Sequence, residues 1–139
     1  MDKLELAQRC AAKMYDNDEA SRSLGMQMTI SAAGHAQTRM QITDSMVNGF
    51  DICHGGLIFT LADSAFAFAC NAYDELTVAA AANIEFLRPA RLGDELTATA
   101  KEQQRGRSTG VYDVEVRDQE ERLVALFRGR SAALGQSVL

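Results

Sequence analysis

One carboxylate stands alone in the longest apolar stretch of the chain. Residues His54 to Asn71 read HGGLIFTLADSAFAFACN, and Asp63 is the one acidic side chain among them. Apolar residues would cover the whole circumference of a helix here, which is typical of a buried helix. Because a carboxylate loses hydration when it is buried, Asp63 should be there either for chemistry or with a partner in the core.

Two glycines open the same stretch. Gly55 and Gly56 at the start of a helix leave backbone N–H groups free and accessible, and such groups bind negatively charged oxygen atoms. A lone acid and an oxyanion site on one element indicate acyl-transfer chemistry. The structural alternative is that the glycines permit close backbone packing while Asp63 pairs with an arginine in the core.

The spacing of these features predicts a shared site. Gly55 and Asp63 are eight residues apart, which is roughly 12 Å along a helix axis. An oxyanion donor and a nucleophile or base must each lie within about 3 Å of the same reacting group. We therefore expect two antiparallel helices side by side, with Asp63 of one protomer facing the Gly55 N–H of its partner. A homodimer with two equivalent interface sites follows.

Other chemistries have weaker signals. His54 is a candidate acid or base, although a histidine at a helix start more often caps the helix or holds the preceding loop. Two histidines and three cysteines without ligand spacing predict no metal site. A GxSxG nucleophile elbow and a GxxxxGK phosphate loop are both absent.

Length and composition predict a single globular domain over residues 1–139. Hydrophobic residues make up 47% of the chain, an ordinary globular value. We expect no membrane association, because Asp63 interrupts the one candidate span and the first residues lack a signal-peptide core. Three cysteines without a CxxC spacing favour reduced thiols and a cytoplasmic location.

Charge is unevenly distributed. The net charge of −5 argues against nucleic-acid binding, yet nine of the fourteen Lys and Arg lie from Arg88 onward, and eight of those nine are Arg. Arginine makes bidentate phosphate contacts, so a small phosphorylated ligand is one interpretation and a solvated strand face is the other.

Periodicity predicts an α+β fold. Asp2 should cap a helix over 3–16, within a helical N-terminal segment 1–18, and a β-hairpin should span 24–42 around Ala33-Gly34. After the buried helix, alternating patterns predict strands over 77–87, 95–103, 108–117 and 122–133, and residues 135–139 should fray. An antiparallel sheet of five to six strands would wrap around the long central helix, and its edges favour pairing with a second copy.

Several blocks of sequence match a known family. The chain resembles the hotdog-fold acyl-CoA thioesterases, and within them the PaaI-type branch of phenylacetate degradation. The resemblance covers nearly everything after about residue 16. It rests on Asn48-Gly49, Cys53-His54-Gly55-Gly56, Leu61-Ala62-Asp63, Ala69-Cys70-Asn71, Ile84 to Pro89, Gly93-Asp94, Thr109 to Asp113 and Ala125 to Gly129.

The resemblance implies a role for each matching position. Asp63 falls at the catalytic carboxylate, as nucleophile or as base for water, and the Gly55 N–H at the group that polarises the thioester carbonyl. Asn48 would help hold the carbonyl or the water, with His54 in support. Where some relatives carry a threonine one turn after the acid, this chain has Ala67, so Ser64 would have to position water instead.

The same resemblance suggests where substrate binds and how copies assemble. Coenzyme A carries phosphate groups, and the residues expected to contact substrate are Gly56, Ser64, Phe86, Leu87, Arg88, Pro89, Arg105, Arg107 and Arg128. Dimers, usually paired into tetramers, are implied, with no cofactor beyond the coenzyme A of the substrate.

The expected activity is hydrolysis of a small aryl-acetyl-CoA. Two alternatives remain open. A hydratase or dehydratase acting on acyl thioesters would need His54 as its base. A non-catalytic acyl-CoA-binding protein would bind thioester tightly without turnover.

Overall fold

The computed structural model describes all 139 residues as three helices and one sheet. The helices are α1 (Lys3–Asp16), α2 (Glu19–Ser23) and α3 (Gly55–Cys70), with a 3₁₀ turn at Asp44–Met46. The strands are β1 (Gln27–Ala32), β2 (His35–Gln41), β3 (Thr77–Phe86), β4 (Glu95–Arg105), β5 (Thr109–Arg117) and β6 (Leu123–Ala133). The sheet is antiparallel throughout, in the order β1-β2-β4-β5-β6-β3.

The central helix α3 lies on the inner face of this sheet and contacts all six strands. Half of its sixteen residues are buried, and they include Leu61, Ala65 and Phe66. The Thr38 hydroxyl, fully buried in β2, donates a 2.9 Å hydrogen bond to the Leu61 carbonyl and ties helix to sheet. The prediction of an antiparallel sheet around one buried helix is confirmed.

Aromatic packing fixes the distance between α3 and the far half of the sheet. The Phe66 ring lies 5.5 Å from Tyr112 and 5.8 Å from Phe127, centroid to centroid. Gly129 lies directly under that ring, and a Cβ there would approach Phe66 Cζ to 2.8 Å. Glycine in β6 therefore lets the helix approach the strand closely.

The N-terminal helices follow their capping residues. Asp2 accepts a 2.8 Å hydrogen bond from the Glu5 N–H, and α1 has the predicted bounds. The short helix α2 was not predicted; Asp18 caps it by accepting bonds from the N–H and hydroxyl of Ser21. No helix combines the length and apolar character needed to cross a membrane.

The two edges of the sheet are β1 and β3. Strand β3 pairs with β6 on one side only, and its residues 78–83 are exposed although four of them are alanine. An exposed, apolar strand edge is a surface that proteins normally cover or pair.

The C-terminal segment, expected to fray, makes specific contacts. One oxygen of Asp74 accepts hydrogen bonds from the N–H groups of Val138 and Leu139 and from the Ser137 hydroxyl. The Leu76 N–H donates to the Gln136 carbonyl at 2.7 Å. These bonds depend on a loop some sixty residues earlier in the chain, which no local pattern reveals.

Candidate active site

The first turn of α3 presents two unused hydrogen-bond donors. The helix begins at Gly55, and the backbone N–H groups of Gly55 and Gly56 have no acceptor in the protein. His54 is the N-cap residue, but its side chain makes no capping hydrogen bond. Free N–H groups at the positive end of a sixteen-residue helix favour a negatively charged oxygen atom beside them.

A groove of about 410 Å³ lies beside these donors. The end of β3 forms one wall, and Phe86 packs so closely that a Cβ on residue 55 would lie 3.0 Å from its ring. Five residues predicted at the site meet here, namely Gly55, Phe86, Leu87, Arg88 and Pro89; Ile52, Cys53, Ile58 and Ala90 complete the lining. Apart from Arg88, the lining is uncharged, so the groove suits an apolar group next to an anion-binding edge.

Asn48 organises the loop that leads to this groove. Its side-chain oxygen accepts hydrogen bonds from the Phe50 and Ile52 N–H groups at 2.9 and 3.2 Å. Its backbone N–H donates to the Ile52 carbonyl at 2.8 Å. The side-chain amide N–H groups remain without an acceptor, so Asn48 holds the loop through its oxygen while its donors stay available.

Asp63 carries an unpaired carboxylate on a largely buried helix. It forms no ion pair, and the protein donates no hydrogen bond to it; desolvation alone raises the pKa of this carboxyl above its ordinary value. The structural alternative, a core arginine paired with Asp63, is therefore not what the fold provides. No side-chain oxygen or nitrogen that is fully buried lacks a partner, so the Asp63 oxygens reach open space.

Asp63 does not line the groove at Gly55. Both lie on α3, about 12 Å apart along its axis. One chain consequently holds a donor edge with a groove at one point of the helix and an unpaired acid two turns further on. The structure places Gly55 and Asp63 on one continuous helix, so within a single protomer the acid does not lie beside the N–H groups.

Three further predicted residues lie close to these groups with different surroundings. His54 is exposed, and its ring makes no hydrogen bond. Gly56 is exposed, and its carbonyl accepts a bond from the Thr60 hydroxyl. The Ser64 hydroxyl faces Ser21 of α2 at 3.0 Å, so it is engaged between the helices rather than at the groove.

Three of the predicted arginines lie away from the groove. Arg105 stacks on the Tyr73 ring at 3.7 Å and pairs with Glu75, and Arg107 is exposed in the same β4–β5 turn. Arg128 stands on the outer face of the sheet, where it forms two hydrogen bonds to Asp113 at 2.6 and 2.8 Å. Of the four arginines proposed to contact phosphate, Arg88 alone borders the groove.

A polar cluster at the other end of α3 has no counterpart in the sequence predictions. One oxygen of Glu102 accepts hydrogen bonds from the hydroxyls of Tyr73 and Tyr112, both at 2.8 Å. Burial, together with the bond to Glu102, raises the pKa of Tyr73 to about 12. Both phenols stay protonated at neutral pH, so the cluster is a hydrogen-bonded support for β4. Nothing in the spacing of three separate segments could have shown it.

The structure supports neither a cysteine nucleophile nor a metal site. Cys10, Cys53 and Cys70 are free and buried, and burial raises the pKa of Cys53 to about 11 and of Cys70 to about 12. The thiolate is the reactive form, so these thiols are poor nucleophiles at neutral pH. No group of three or more His, Cys, Asp or Glu side chains is placed to hold a metal ion.

An antiparallel sheet around one helix, with free N–H groups at the helix start beside a groove, is the architecture of the hotdog-fold enzymes that act on acyl thioesters. A family model of the Thioesterase superfamily matches residues 50–125. The acyl-coenzyme A thioesterase PaaI of Escherichia coli (strain K12) is 46% identical over 128 residues, which cover 92% of this chain and 91% of that protein. The chain therefore belongs to the thioesterase superfamily and is similar to its PaaI-type members.

Solved structures agree with this assignment. The structure of the E. coli PaaI protein from the phenylacetic acid degradation operon aligns with a TM-score of 0.96 and 44% identity, covering 98% of this chain and 99% of that one. A hypothetical thioesterase protein with coenzyme A from Streptococcus pneumoniae TIGR4 aligns with a TM-score of 0.82 and 26% identity, covering 89% and 98%.

Proposed function

We propose that this thioesterase hydrolyses the coenzyme A thioester of a small aryl-acetyl group. The observation that carries the proposal is the unpaired, desolvated carboxylate of Asp63 on the same helix that offers the free N–H of Gly55. One group attacks or activates water, and the other stabilises the oxyanion. The names of the E. coli and S. pneumoniae relatives support coenzyme A, and the E. coli operon supports a phenylacetyl type of acyl group.

The chemical step uses groups already described. The thioester carbonyl oxygen accepts a hydrogen bond from the Gly55 N–H, with the Asn48 amide as a second donor. Asp63 then either adds to the carbonyl carbon, forming an anhydride that water opens, or takes a proton from the water that adds. Either route breaks the carbon–sulfur bond, releases coenzyme A as its thiolate and leaves a free acid. A thioester is reactive enough that we expect no metal or redox cofactor.

The site needs two protomers. We propose that β3 pairs with β3 of a second copy, which covers its exposed edge and sets two α3 helices side by side and antiparallel. With Gly55 opposite the partner's Asp63, the C-terminal end of α3 at Cys70 extends past the start of the partner's α3. The β4–β5 turn with Arg107 lines a small cavity with Cys70, so this arrangement brings Arg107 toward the partner's groove.

The groove favours a flat apolar acyl group. The side chains of Ile58, Phe86 and Leu87 line it, and Arg88 supplies its positive charge. An aryl ring would pack against the Phe86 ring, while Arg88 attracts the phosphates of coenzyme A. We also propose that two dimers pair into a tetramer. A cytoplasmic location belongs to the same proposal, and the three free cysteines are consistent with it.

Thiol release from a panel of acyl-CoA substrates, followed with DTNB, tests the proposal. We expect phenylacetyl-type substrates to give the highest kcat/KM, and Asp63→Ala to lower kcat about 10²- to 10⁴-fold. Asp63→Glu should keep part of the activity. Turnover of phenylacetyl-CoA by Asp63→Ala at the wild-type rate would contradict the mechanism. Hydration of an enoyl-CoA without thiol release would support the hydratase alternative, and tight binding without turnover would support a binding protein.

A further inference from the structure

We propose that the loop from Asn48 to Ile52 and the neighbouring segment from Arg88 to Leu92 bind the nucleotide end of coenzyme A. In this arrangement Phe50 stacks on the adenine ring, and Arg88 and Arg91 contact the phosphates. The inference rests on the proposed function, since it takes a coenzyme A thioester as the substrate. We call these two segments together the rim.

Phe50 is the starting observation. Its side chain is 82% exposed, more than any other large hydrophobic residue in the protein. The surrounding backbone is nevertheless held firmly, because Asn48 accepts the Phe50 N–H and the Asp51 N–H donates to the Asn48 carbonyl. An aromatic ring fixed in solvent gives up apolar burial, and a flat face of this kind is what nucleic-acid bases stack on.

Backbone hydrogen bonds join the two segments of the rim. The Cys53 N–H donates to the Ala90 carbonyl at 2.8 Å, and the Leu92 N–H donates to the Asp51 carbonyl at 3.0 Å. Ile52 and Arg91 form an isolated antiparallel bridge between these bonds. Arg91 therefore lies opposite Ile52, two positions from Phe50 in the chain. The backbone hydrogen bonds order both segments without a ligand.

The arginines of the rim are uncommitted. Neither Arg88 nor Arg91 forms an ion pair or a side-chain hydrogen bond, whereas Arg105, Arg117 and Arg128 all pair with carboxylates. The carboxylates of the rim and its flank are Asp51 and Asp94. The oxygens of Asp94 accept bonds from the Arg91 backbone N–H and the Gln119 amide, and neither acid binds a rim guanidinium. Two free guanidinium groups, on a segment joined by backbone hydrogen bonds to the loop that carries Phe50, match the charge of nucleotide phosphates.

The rim is continuous with the groove. Ile52, Arg88 and Ala90 belong to both, so a thioester held at Gly55 can extend past Arg88 toward Arg91 and Phe50. Phe50 and Arg91 lie outside the groove, so they offer no contact to a substrate that lacks the nucleotide. Substrates with and without the nucleotide therefore distinguish a residue that binds the nucleotide from a residue that shapes the acyl pocket.

The experiment compares phenylacetyl-CoA with phenylacetyl-N-acetylcysteamine, which has the same reacting group but no nucleotide. Phe50→Ala should raise KM for the coenzyme A ester about 5- to 10-fold, the lower end expected for loss of one stacked base. It should leave kcat for the coenzyme A ester unchanged, and both kcat and KM for the N-acetylcysteamine ester unchanged. Phe50→Tyr keeps the flat ring and should behave as wild type, whereas Phe50→Leu should resemble the alanine variant. Leu126→Ala, on the exposed outer face of β6, is the matched control.

Charge is tested separately. Arg91→Gln and Arg88→Gln should raise KM for phenylacetyl-CoA and reduce its dependence on salt, since exposed phosphate contacts are screened. Arg130→Gln, an exposed arginine of β6 with no ion pair, is the control. Calorimetry with free coenzyme A gives a second readout that does not need turnover.

Each alternative has its own outcome. Equal losses on both esters would place Phe50 at the acyl pocket and overturn the inference. A change in molecular mass by light scattering for Phe50→Ala would make it a contact between copies and overturn it as well. Unaltered KM and coenzyme A affinity in all rim variants would do the same. Failure of the wild type to hydrolyse either ester would instead overturn the proposed function.

Discussion

A single methyl group at Gly55 tests the geometry of the groove. In Gly55→Ala the new Cβ would lie 3.0 Å from Cζ of Phe86 and 3.3 and 3.4 Å from its two Cε atoms. Carbon atoms prefer separations of about 3.5–4.0 Å, so the ring must move by roughly 0.5 Å. Because Phe86 is 52% exposed, the ring can turn toward solvent without disturbing the core.

The cost to stability should consequently be small and the cost to activity larger. We expect Gly55→Ala to lower the free energy of unfolding by no more than about 1 kcal/mol, the low end for overpacking. We expect kcat/KM to fall about 10-fold or more, since the new methyl group and the displaced ring alter the groove wall beside the Gly55 N–H. A 1 Å misplacement at a site can cost about 10²-fold. Phe86→Ala in the same chain removes the clash and should restore part of the loss.

The assay is a double-mutant cycle in kcat/KM for phenylacetyl-CoA, with thermal unfolding of each variant. Coupling between residues in contact is about 0.5–3 kcal/mol. Gly56→Ala is the steric control for stability, because a Cβ there meets no atom within 4 Å. Wild-type kcat/KM for Gly55→Ala, or strictly additive effects of the two substitutions, would refute the contact as the reason for glycine at this position.

The remaining predictions concern the acid and the end of its helix. Burial raises the pKa of Asp63, so the folded chain binds more protons than the unfolded chain between pH 3.8 and the raised value. The stability from the neutral acid is lost as pH rises through that window. Asp63→Asn should therefore melt at a higher temperature than wild type at pH 7, with the difference disappearing below pH 3.8, and a lower melting temperature at pH 7 would contradict this. In the wild type, kcat should fall as pH drops through the same raised pKa, which a pH–rate profile measures. Asn71→Ala should lower the free energy of unfolding in denaturant by about 2–4 kcal/mol. The Asn71 side chain is 2% exposed, and its loss leaves the N–H and C=O of Thr77 unpaired. A decrease below 0.5 kcal/mol, about the level of a surface change, would contradict this, because it would show that water replaces the amide.

Regular elements were predictable wherever one face alternates or repeats. Strands β2 and β5 alternate buried residues with exposed or half-buried ones along their length. The four strands after α3 begin and end within two residues of their predicted limits. Helix α2 escaped prediction because five residues held by one aspartate cap show no apolar repeat. Its contact with Ser64 joins residues 43 positions apart, so the sequence gives no sign that this hydroxyl is engaged.

The site was predictable in part for similar reasons. Gly55 and Asp63 share one helix, so their separation follows from helix geometry. The contact of Gly55 with Phe86, by contrast, depends on where β3 ends relative to α3. The sequence analysis assigned both residues to the site but did not predict that they touch. Arg128 faces Asp113 because β5 and β6 pair in one particular register. A shift by one residue would turn that side chain to the other face, and composition carries no information on register.

Sharing of each site between two protomers is the central claim, and mixed dimers test it most directly. Gly55→Pro removes the N–H at the first helical position and places a Cβ 3.0 Å from the Phe86 ring, so it disrupts the Gly55 half of the site. The backbone accepts proline, because His54 already has an extended conformation (φ −58°, ψ 133°). Chains with Gly55→Pro and chains with Asp63→Asn should each be inactive alone. Co-refolded in equal amounts, they should recover about one quarter of the wild-type kcat per site, because half of the dimers are mixed and each holds one intact site. No recovery from a mixture that light scattering and tagged pull-down show to contain mixed dimers would contradict the account.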